Sequence, residues 1–316
     1  MPGASLNVDL WISEYVTPYD VTLHGVTRIL EAQRSEFQDM QIVETGVYGK
    51  ALVLDGKWQS CTGDEFLYHE PLVHVPCAVH GAPKRVLVLG GGEGATVREA
   101  LKWNSVERVT MVDIDGVVVD ACKQHLPEMH QGAFDDPRTE LVIGDALKYL
   151  DDSGADWDVI ISDLSDPIED GPSFPLFTKE YFERVKRALA PNGVFVVQAG
   201  PVSPPSLGTH AKLRKTVDAV FAHSASYSSD VPSYPGPWSF ILGRQNPIDT
   251  RPDPEAIDEL LRAGTTGQMR MFDGVAMLGL LQLPKHVRDQ IASETEVFTM
   301  ERPPTFFGAG VAAGGS

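Results

Sequence analysis

From residue 85 onward, short unbroken apolar runs alternate with stretches whose apolar residues recur at helical spacing. The run Val86-Leu87-Val88-Leu89 has no polar alternation, as expected for a strand covered on both faces of a parallel sheet. The pattern predicts strands over 85–90, 108–113, 140–143, 158–161 and 194–198, with helices over 95–103, 117–126, 178–190 and 210–222. Such a succession implies a doubly wound α/β domain with a mostly parallel sheet.

Upstream the period changes. Residues 10–60 are rich in β-branched and aromatic side chains broken by glycine turns such as Asp55-Gly56, which predicts a small antiparallel β domain. Phe66, Leu67, Glu70, Val73 and His74 sit at helical spacing, so a helix over about 64–80 should join the two units. The expected division is therefore an N-terminal β domain with its linking helix (1–80), an α/β domain (81–300) and a C-terminal tail (301–316). Pro and Gly crowd 200–208 and 232–237 as loops, and 308–316 reads as a mobile tail.

Composition narrows the function classes. The 316 residues carry a formal net charge of −18, a potential that repels phosphate backbones and anionic membranes and attracts cations. Neither a nucleic acid nor a membrane is expected as partner, and no apolar run approaches the ~18 residues of a membrane span. With no secretory or transit pattern at the N-terminus, a cytoplasmic location is expected. Cys61, Cys77 and Cys122 lack metal-ligand spacing and fit inert thiols.

Where the acids lie is more telling than their number. Leu89-Gly90-Gly91-Gly92-Glu93-Gly94 follows the first strand of the α/β unit and opens a helix, a setting in which glycines such as Gly90 and Gly91 let the backbone approach a nucleotide. Glu93 stands where a pyrophosphate would sit and would repel it. Asp113 ends the next strand, close to the ~20-residue spacing at which an acid takes ribose hydroxyls. A nucleoside ligand without phosphate satisfies both. The third strand ends in Gly144-Asp145-Ala146 and the fourth in Asp163, with Asp166 just beyond in the stretch Asp163-Leu164-Ser165-Asp166-Pro167-Ile168-Glu169-Asp170. Any one of these aspartates can be a cap or turn former. Together they line the sheet edge where ligands bind in such folds and fit a ligand with two or more positive charges. A divalent metal is the poorer match, since neither a histidine nor a calcium-loop pattern accompanies the acids.

The motifs GGGEGATVRE, VDID, GDA and DLSDPIEDGP, with the earlier DGKWQSCTGDEFLYHE, resemble in order and spacing the polyamine aminopropyltransferases, the spermidine synthase family. DLSDP, EDGPSFPLFTKEYF, APNGVFVVQAGP and ETEVF look closest to its thermospermine synthase branch. Typical spermidine synthases carry serine at the position of Leu164 and usually Asp at that of Glu93. The resemblance implies a Rossmann-like, class I methyltransferase-like fold and decarboxylated S-adenosylmethionine as co-substrate, with no prosthetic group and no metal. It further implies a polyamine acceptor and a homodimer or homotetramer. Gln38, Gln59, Gly90, Gly91, Glu93, Asp113, Asp145 and Ala146 would form the donor site. Tyr68 and Asp163 would be catalytic, with Asp163 as general base, and His69, Asp166, Tyr234 and Trp238 would line the acceptor path. Without the resemblance Tyr68, on an amphipathic helix, reads first as a core residue, and Tyr234 as a side chain covering a loop.

The chemistry agrees with the charge. The donor's aminopropyl chain ends in an ammonium, which suits Glu93, whereas the amino-acid carboxylate of S-adenosylmethionine does not, and this argues against a methyltransferase. An acceptor amine of pKa ~10 must lose a proton before attack, costing about 4 kcal/mol at neutral pH, and a positioned carboxylate offsets that cost. A silent polyamine or nucleoside sensor on the same fold would have dispensed with Asp163 and Tyr68. Spermidine, giving thermospermine, is the expected acceptor. Putrescine and agmatine are the nearest alternatives, with the loops at 166–176 and 201–209 setting the pocket length.

Overall fold

The computed structural model describes residues 8–166 and 173–304. Pro167 to Pro172, which hold Glu169 and Asp170, and the expected mobile tail over 308–316 lie outside the described residues.

An N-terminal antiparallel sheet comprises β1 (Leu10–Thr17), β2 (Asp20–Arg34), β3 (Asp39–Thr45), β4 (Lys50–Leu54) and β5 (Lys57–Cys61), in that spatial order. Alternation sorts its residues: in β3, Met40 and Ile42 turn inward. The sheet curls until its two edges meet, because the Trp58 backbone N–H of β5 donates to Glu14 Oε2 of β1 at 3.3 Å.

Helix α1 (Phe66–His80) follows and packs into the apolar layer of the second sheet, with Tyr68, Leu72, Val73 and Val75 beside Val86 and Val88. It contains Pro71 and Pro76, which remove backbone donors from an interior helix, and Tyr227 Oη donates to the Pro71 carbonyl at 3.0 Å.

The chain then alternates: β6 (Arg85–Gly90), α2 (Ala95–Leu101), β7 (Arg108–Asp113), α3 (Gly116–His125), the single turn α4 (Pro127–His130), β8 (Thr139–Ile143), α5 (Ala146–Asp152) and β9 (Trp157–Asp163). After these come α6 (Lys179–Ala188), β10 (Leu189–Pro201), α7 (Leu207–Asp218), β11 (His223–Ser229) and β12 (Trp238–Arg244). Three C-terminal helices, α8 (Pro254–Gly264), α9 (Gly274–Leu280) and α10 (Lys285–Ser293), complete the described fold. The seven strands stand in the order β11-β12-β10-β9-β6-β7-β8. β12 runs antiparallel to both β11 and β10; the pairings from β10 through β8 are parallel. This is the expected doubly wound, mostly parallel sheet. Alternate residues feed opposite layers: Val86, Val88, Val159 and Ile161 face one side, Leu87, Leu89, Ile160 and Phe195 the other. Among the described residues no helix is long and apolar enough to cross a membrane.

The order reverses at β6, because the chain runs from β6 to β7 and β8 on one side and returns to β9 on the other. Ligands of open α/β sheets lie at such a switch, outside the carboxyl ends of the strands. Gly90 is directly paired with Asp163 there.

Candidate active site

A cavity of about 230 Å³ opens at this switch point and extends to the curled β sheet. Seven carboxylates line it, from Glu14, Asp55, Glu93, Asp113, Asp145, Asp163 and Asp166, against one basic side chain, Lys57. Six of the seven come from loops or strand ends, so the fold converges them from five separate segments.

The glycine loop brings backbone against Asp163. Gly90 and Gly91 have φ of 83° and 76°, the left-handed region open to glycine. A Cβ on Gly90 would lie 2.2 Å from the Asp163 carbonyl oxygen, and one on Gly91 3.0 Å from Asp163 Oδ2. Asp163 itself accepts from Tyr68 Oη at 2.7 Å and from Thr96 Oγ1 at 2.5 Å. Burial and the nearby Glu93 charge push its carboxyl above the ordinary range, against the lowering pull of His69 and the two hydroxyls.

Glu93 is held from beneath. His69 is fully buried and lies outside the cavity lining, with Nε2 2.9 Å from Glu93 Oε1 and Nδ1 2.8 Å from Glu65 Oε2. Burial alone would discharge the imidazole, but two carboxylates outweigh it and raise its pKa to about 10. It is therefore an imidazolium at neutral pH. The same contact outweighs burial at Glu93 and holds that carboxyl below its usual range. Arg98 extends the pairing with Nη2 on Glu65 Oε2 at 2.9 Å. His69, Glu93 and Asp163 offer ligand atoms within 4.8 Å of one another, yet an imidazolium whose nitrogens both donate to carboxylates has no lone pair for a metal.

The part of the cavity around Asp113 is equally ordered. Asp113 accepts from the Asp115 backbone N–H at 2.9 Å. Burial raises its pKa to about 7, helped by Asp115, Glu93 and Asp163. Gln38 reaches across from the β sheet, donating through Nε2 to Asp115 Oδ2 at 2.9 Å. Asp145 caps α5 through Oδ1, accepting from the Leu147 and Lys148 backbone N–H groups, and still lines the cavity beside Ala146. Gln59 lines it as well, with its amide donating to the Lys57 carbonyl at 3.1 Å.

Beyond Asp163, Trp238 Nε1 donates to Gln198 Oε1 at 3.1 Å, and Gln198 Nε2 donates to Asp166 Oδ1 at 3.1 Å. Burial raises the Asp166 carboxyl, opposed by Gln198 and by Lys57. The Tyr234 ring stands edge-on to Tyr68 and Trp238, centroids 5.9 and 4.8 Å apart, and its hydroxyl donates to the Gln59 carbonyl. Asp64 fixes that loop by accepting from the Ser233 backbone N–H and hydroxyl at 2.8 and 3.0 Å.

The structure thus gathers Tyr68, Gln38, Gln59, Gly90, Gly91, Glu93, Asp113, Asp145, Ala146, Asp163, Asp166, Tyr234 and Trp238 around one cavity. His69 is the exception, because both of its nitrogens are turned into the protein. Sequence reasoning overlooked Thr96, Asp115, Gln198, Glu14 and Lys57. Asp115 carried a signal in its place before a helical run, and Gln198 carried one as a lone amide in a buried strand.

The model described as the spermine/spermidine synthase domain matches residues 65–251, and that of the spermidine synthase tetramerisation domain matches residues 10–61. A polyamine aminopropyltransferase from Synechococcus sp. is 53% identical over 302 residues, covering 93% of this chain and 96% of that protein. One from Sulfolobus acidocaldarius is 42% identical over 294 residues, covering 93% and 97%. A crystal structure of spermidine synthase in complex with the transition-state analogue AdoDATO superposes with a TM-score of 0.83 at 30% identity, over 90% of this chain and 96% of the other. Spermidine synthase from Thermotoga maritima gives 0.82 at 30% identity, over 90% and 95%. With both domain models matched in sequence order and relatives aligned along nearly the whole length, the chain belongs to the spermine/spermidine synthase family.

Proposed function

We propose that the protein transfers the aminopropyl group of decarboxylated S-adenosylmethionine to a polyamine and releases 5′-methylthioadenosine, with spermidine as preferred acceptor and thermospermine as product. The observation that carries this reading is Asp163: a half-buried carboxylate, tied to two hydroxyls and to no Lys or Arg among the described residues, in a cavity lined by seven acids.

Each part of the cavity has work to do. Asp113 takes the ribose hydroxyls, Asp145 and Ala146 flank the adenine, and Gln38 and Gln59 close the donor site. Glu93, fixed by the His69 imidazolium, attracts the cationic propyl chain and repels an amino-acid carboxylate. Asp163, with a raised pKa, accepts the proton of the attacking ammonium, and the Tyr68 hydroxyl orients the nitrogen. The freed lone pair attacks the methylene bonded to the sulfonium, the C–S bond breaks toward sulfur, and the new C–N bond forms in line. Orientation of the two reactants in one cavity supplies the remainder of the acceleration. Tyr234, Trp238 and Asp166 guide the acceptor's other charges.

The test supplies decarboxylated S-adenosylmethionine with putrescine, agmatine, spermidine or norspermidine and separates the products. Thermospermine from spermidine at the highest kcat/KM is expected, and turnover of no amine at all rejects the reading. In the same assay Asp163→Asn should lose roughly 10²–10⁴-fold in kcat while still binding 5′-methylthioadenosine.

A further inference from the structure

Asp115 is buried and lies outside the cavity lining, yet two residues that do line the cavity, Asp113 and Gln38, are both tied to it. The two oxygens of its carboxylate have separate partners. Oδ1 caps α3, accepting from the Val117 and Val118 backbone N–H groups at 3.1 and 3.3 Å. Oδ2 meets the connection between β2 and β3, where it accepts from Ser35 Oγ at 2.6 Å and from Gln38 Nε2 at 2.9 Å. Four donors fill the roughly four lone-pair positions of a carboxylate, so Asp115 has nothing left for a ligand. The Ser35 hydroxyl in turn accepts from the Phe37 and Gln38 backbone N–H groups, each at 3.1 Å. Residues 35–38 are thereby one tight turn clamped on Asp115.

What the clamp fixes is the direction of the Gln38 amide. A carboxylate only accepts, so the Nε2 end must face Asp115 and the Oε1 end is turned away from it. Among the described residues Oε1 takes no hydrogen bond. On its other side Asp115 holds Asp113, donating its backbone N–H to Oδ1 and leaving Oδ2 untaken among the described residues. Two open acceptor oxygens, one from each domain, are thus linked through one buried residue.

We propose that Asp115 is a positioning residue for the donor nucleoside: through Oδ2 it aims the Gln38 carbonyl oxygen, so that Gln38 and Asp113 accept from the nucleoside as one unit spanning both domains. This deepens the aminopropyltransferase reading and rests on its donor site. A helix cap alone accounts for Oδ1 but not for Oδ2, whose two partners stand 80 and 77 residues away in the other domain.

Asp115→Asn separates the two roles. The substitution keeps an oxygen for the cap, where Asn serves as well as Asp, and puts an amide nitrogen where Oδ2 stood. That group donates, so the Gln38 amide must turn over and offer its N–H groups to the cavity. Binding of 5′-methylthioadenosine, followed by titration calorimetry, is expected to weaken about tenfold, the worth of one hydrogen bond, while the midpoint of denaturant unfolding changes little. In turnover the loss should fall on KM for decarboxylated S-adenosylmethionine and leave KM for the amine unchanged. The decisive arm is a double-mutant cycle with Gln38→Met, which removes the amide. If Asp115 acts through Gln38, Asp115→Asn costs less than about twofold in that background. Equal costs in both backgrounds, or an unchanged affinity in Asp115→Asn alone, overturn the proposal. Should Asp115→Asn fail to fold, Ser35→Ala, which loosens the same clamp from the β domain, goes through the same cycle and is judged by the same two outcomes. No binding of 5′-methylthioadenosine by the unaltered protein rejects the donor-site reading itself, so the two failures are distinguishable.

Discussion

The residues of this cavity divide between groups that stay charged by pairing and groups left poised to titrate. Glu93 belongs to the first kind, since the buried His69 imidazolium holds it ionised. Asp113 belongs to the second, with burial lifting its pKa to about 7. The sign of the consequence follows from which form the ligand prefers. Ribose hydroxyls donate hydrogen bonds, so they bind the ionised carboxylate and lower its pKa. Below about pH 7 Asp113 is protonated in the free protein and must release its proton on binding, while above that pH nothing is released. Affinity for 5′-methylthioadenosine, which has the ribose but no net charge, is therefore expected to rise up to tenfold per pH unit between about 5.5 and 7 and then level off. Titration calorimetry in buffers of different ionisation enthalpy checks this, with proton release confined to the acidic side. The profile should flatten in Asp113→Asn, and a pH-independent affinity in the unaltered protein would remove Asp113 from the ribose contact.

At the scale of elements, legibility followed the strength of the periodic signal. Strands β6 and β7 are read from sequence to their observed ends because Val86 to Leu89 and Val109 to Val112 are buried on both faces, leaving one interpretation. Strand β11, His223-Ser-Ala-Ser-Tyr-Ser-Ser229, escaped because its buried positions include Ser226 and Ser229, which hydropathy cannot distinguish from a loop. β2 was missed for the opposite reason: Arg28-Ile-Leu-Glu-Ala-Gln-Arg34 is made of good helix formers, and the strand is imposed by pairing with β1 and β3. The site was legible where acids follow strands. It was opaque where a group arrives from a distant segment, as Glu14 and Lys57 do. The glycine loop shows what an element's geometry demands, and it can be tested against an internal control. Gly90 and Gly132 have nearly the same φ, 83° and 82°, so alanine at either incurs the left-handed penalty of about 1–2 kcal/mol. Only at Gly90 does the new Cβ also meet backbone, 2.2 Å from the Asp163 carbonyl oxygen, whereas nothing lies within 4 Å at Gly132. Gly132→Ala is expected to lose about that penalty in denaturant unfolding with nucleoside binding retained. Gly90→Ala should lose more and bind 5′-methylthioadenosine at least tenfold more weakly, and equal costs at both positions would contradict the close-approach argument.

At the scale of the whole molecule, charge and exposed apolar surface pull in opposite directions. The chain has a formal charge of −18, which opposes self-association. Yet one face of its N-terminal sheet exposes Tyr15, Val21 and Leu23 at 49%, 47% and 52%, and Tyr15 is directly paired with Val21. A cross-strand apolar strip on the segment matched by a tetramerisation domain model is the reason to expect two or four chains together. Apolar burial must then outweigh like-charge repulsion, and repulsion reaches about 10 Å in 0.1 M salt but ~30 Å in 0.01 M. Light scattering should therefore give an oligomeric mass near physiological salt that declines on dilution in low salt. A Val21→Asp, Leu23→Asp pair, placing carboxylates in the strip, should give the monomer mass at both. An unaltered chain that is monomeric at micromolar concentration in 0.15 M salt would refute the expectation.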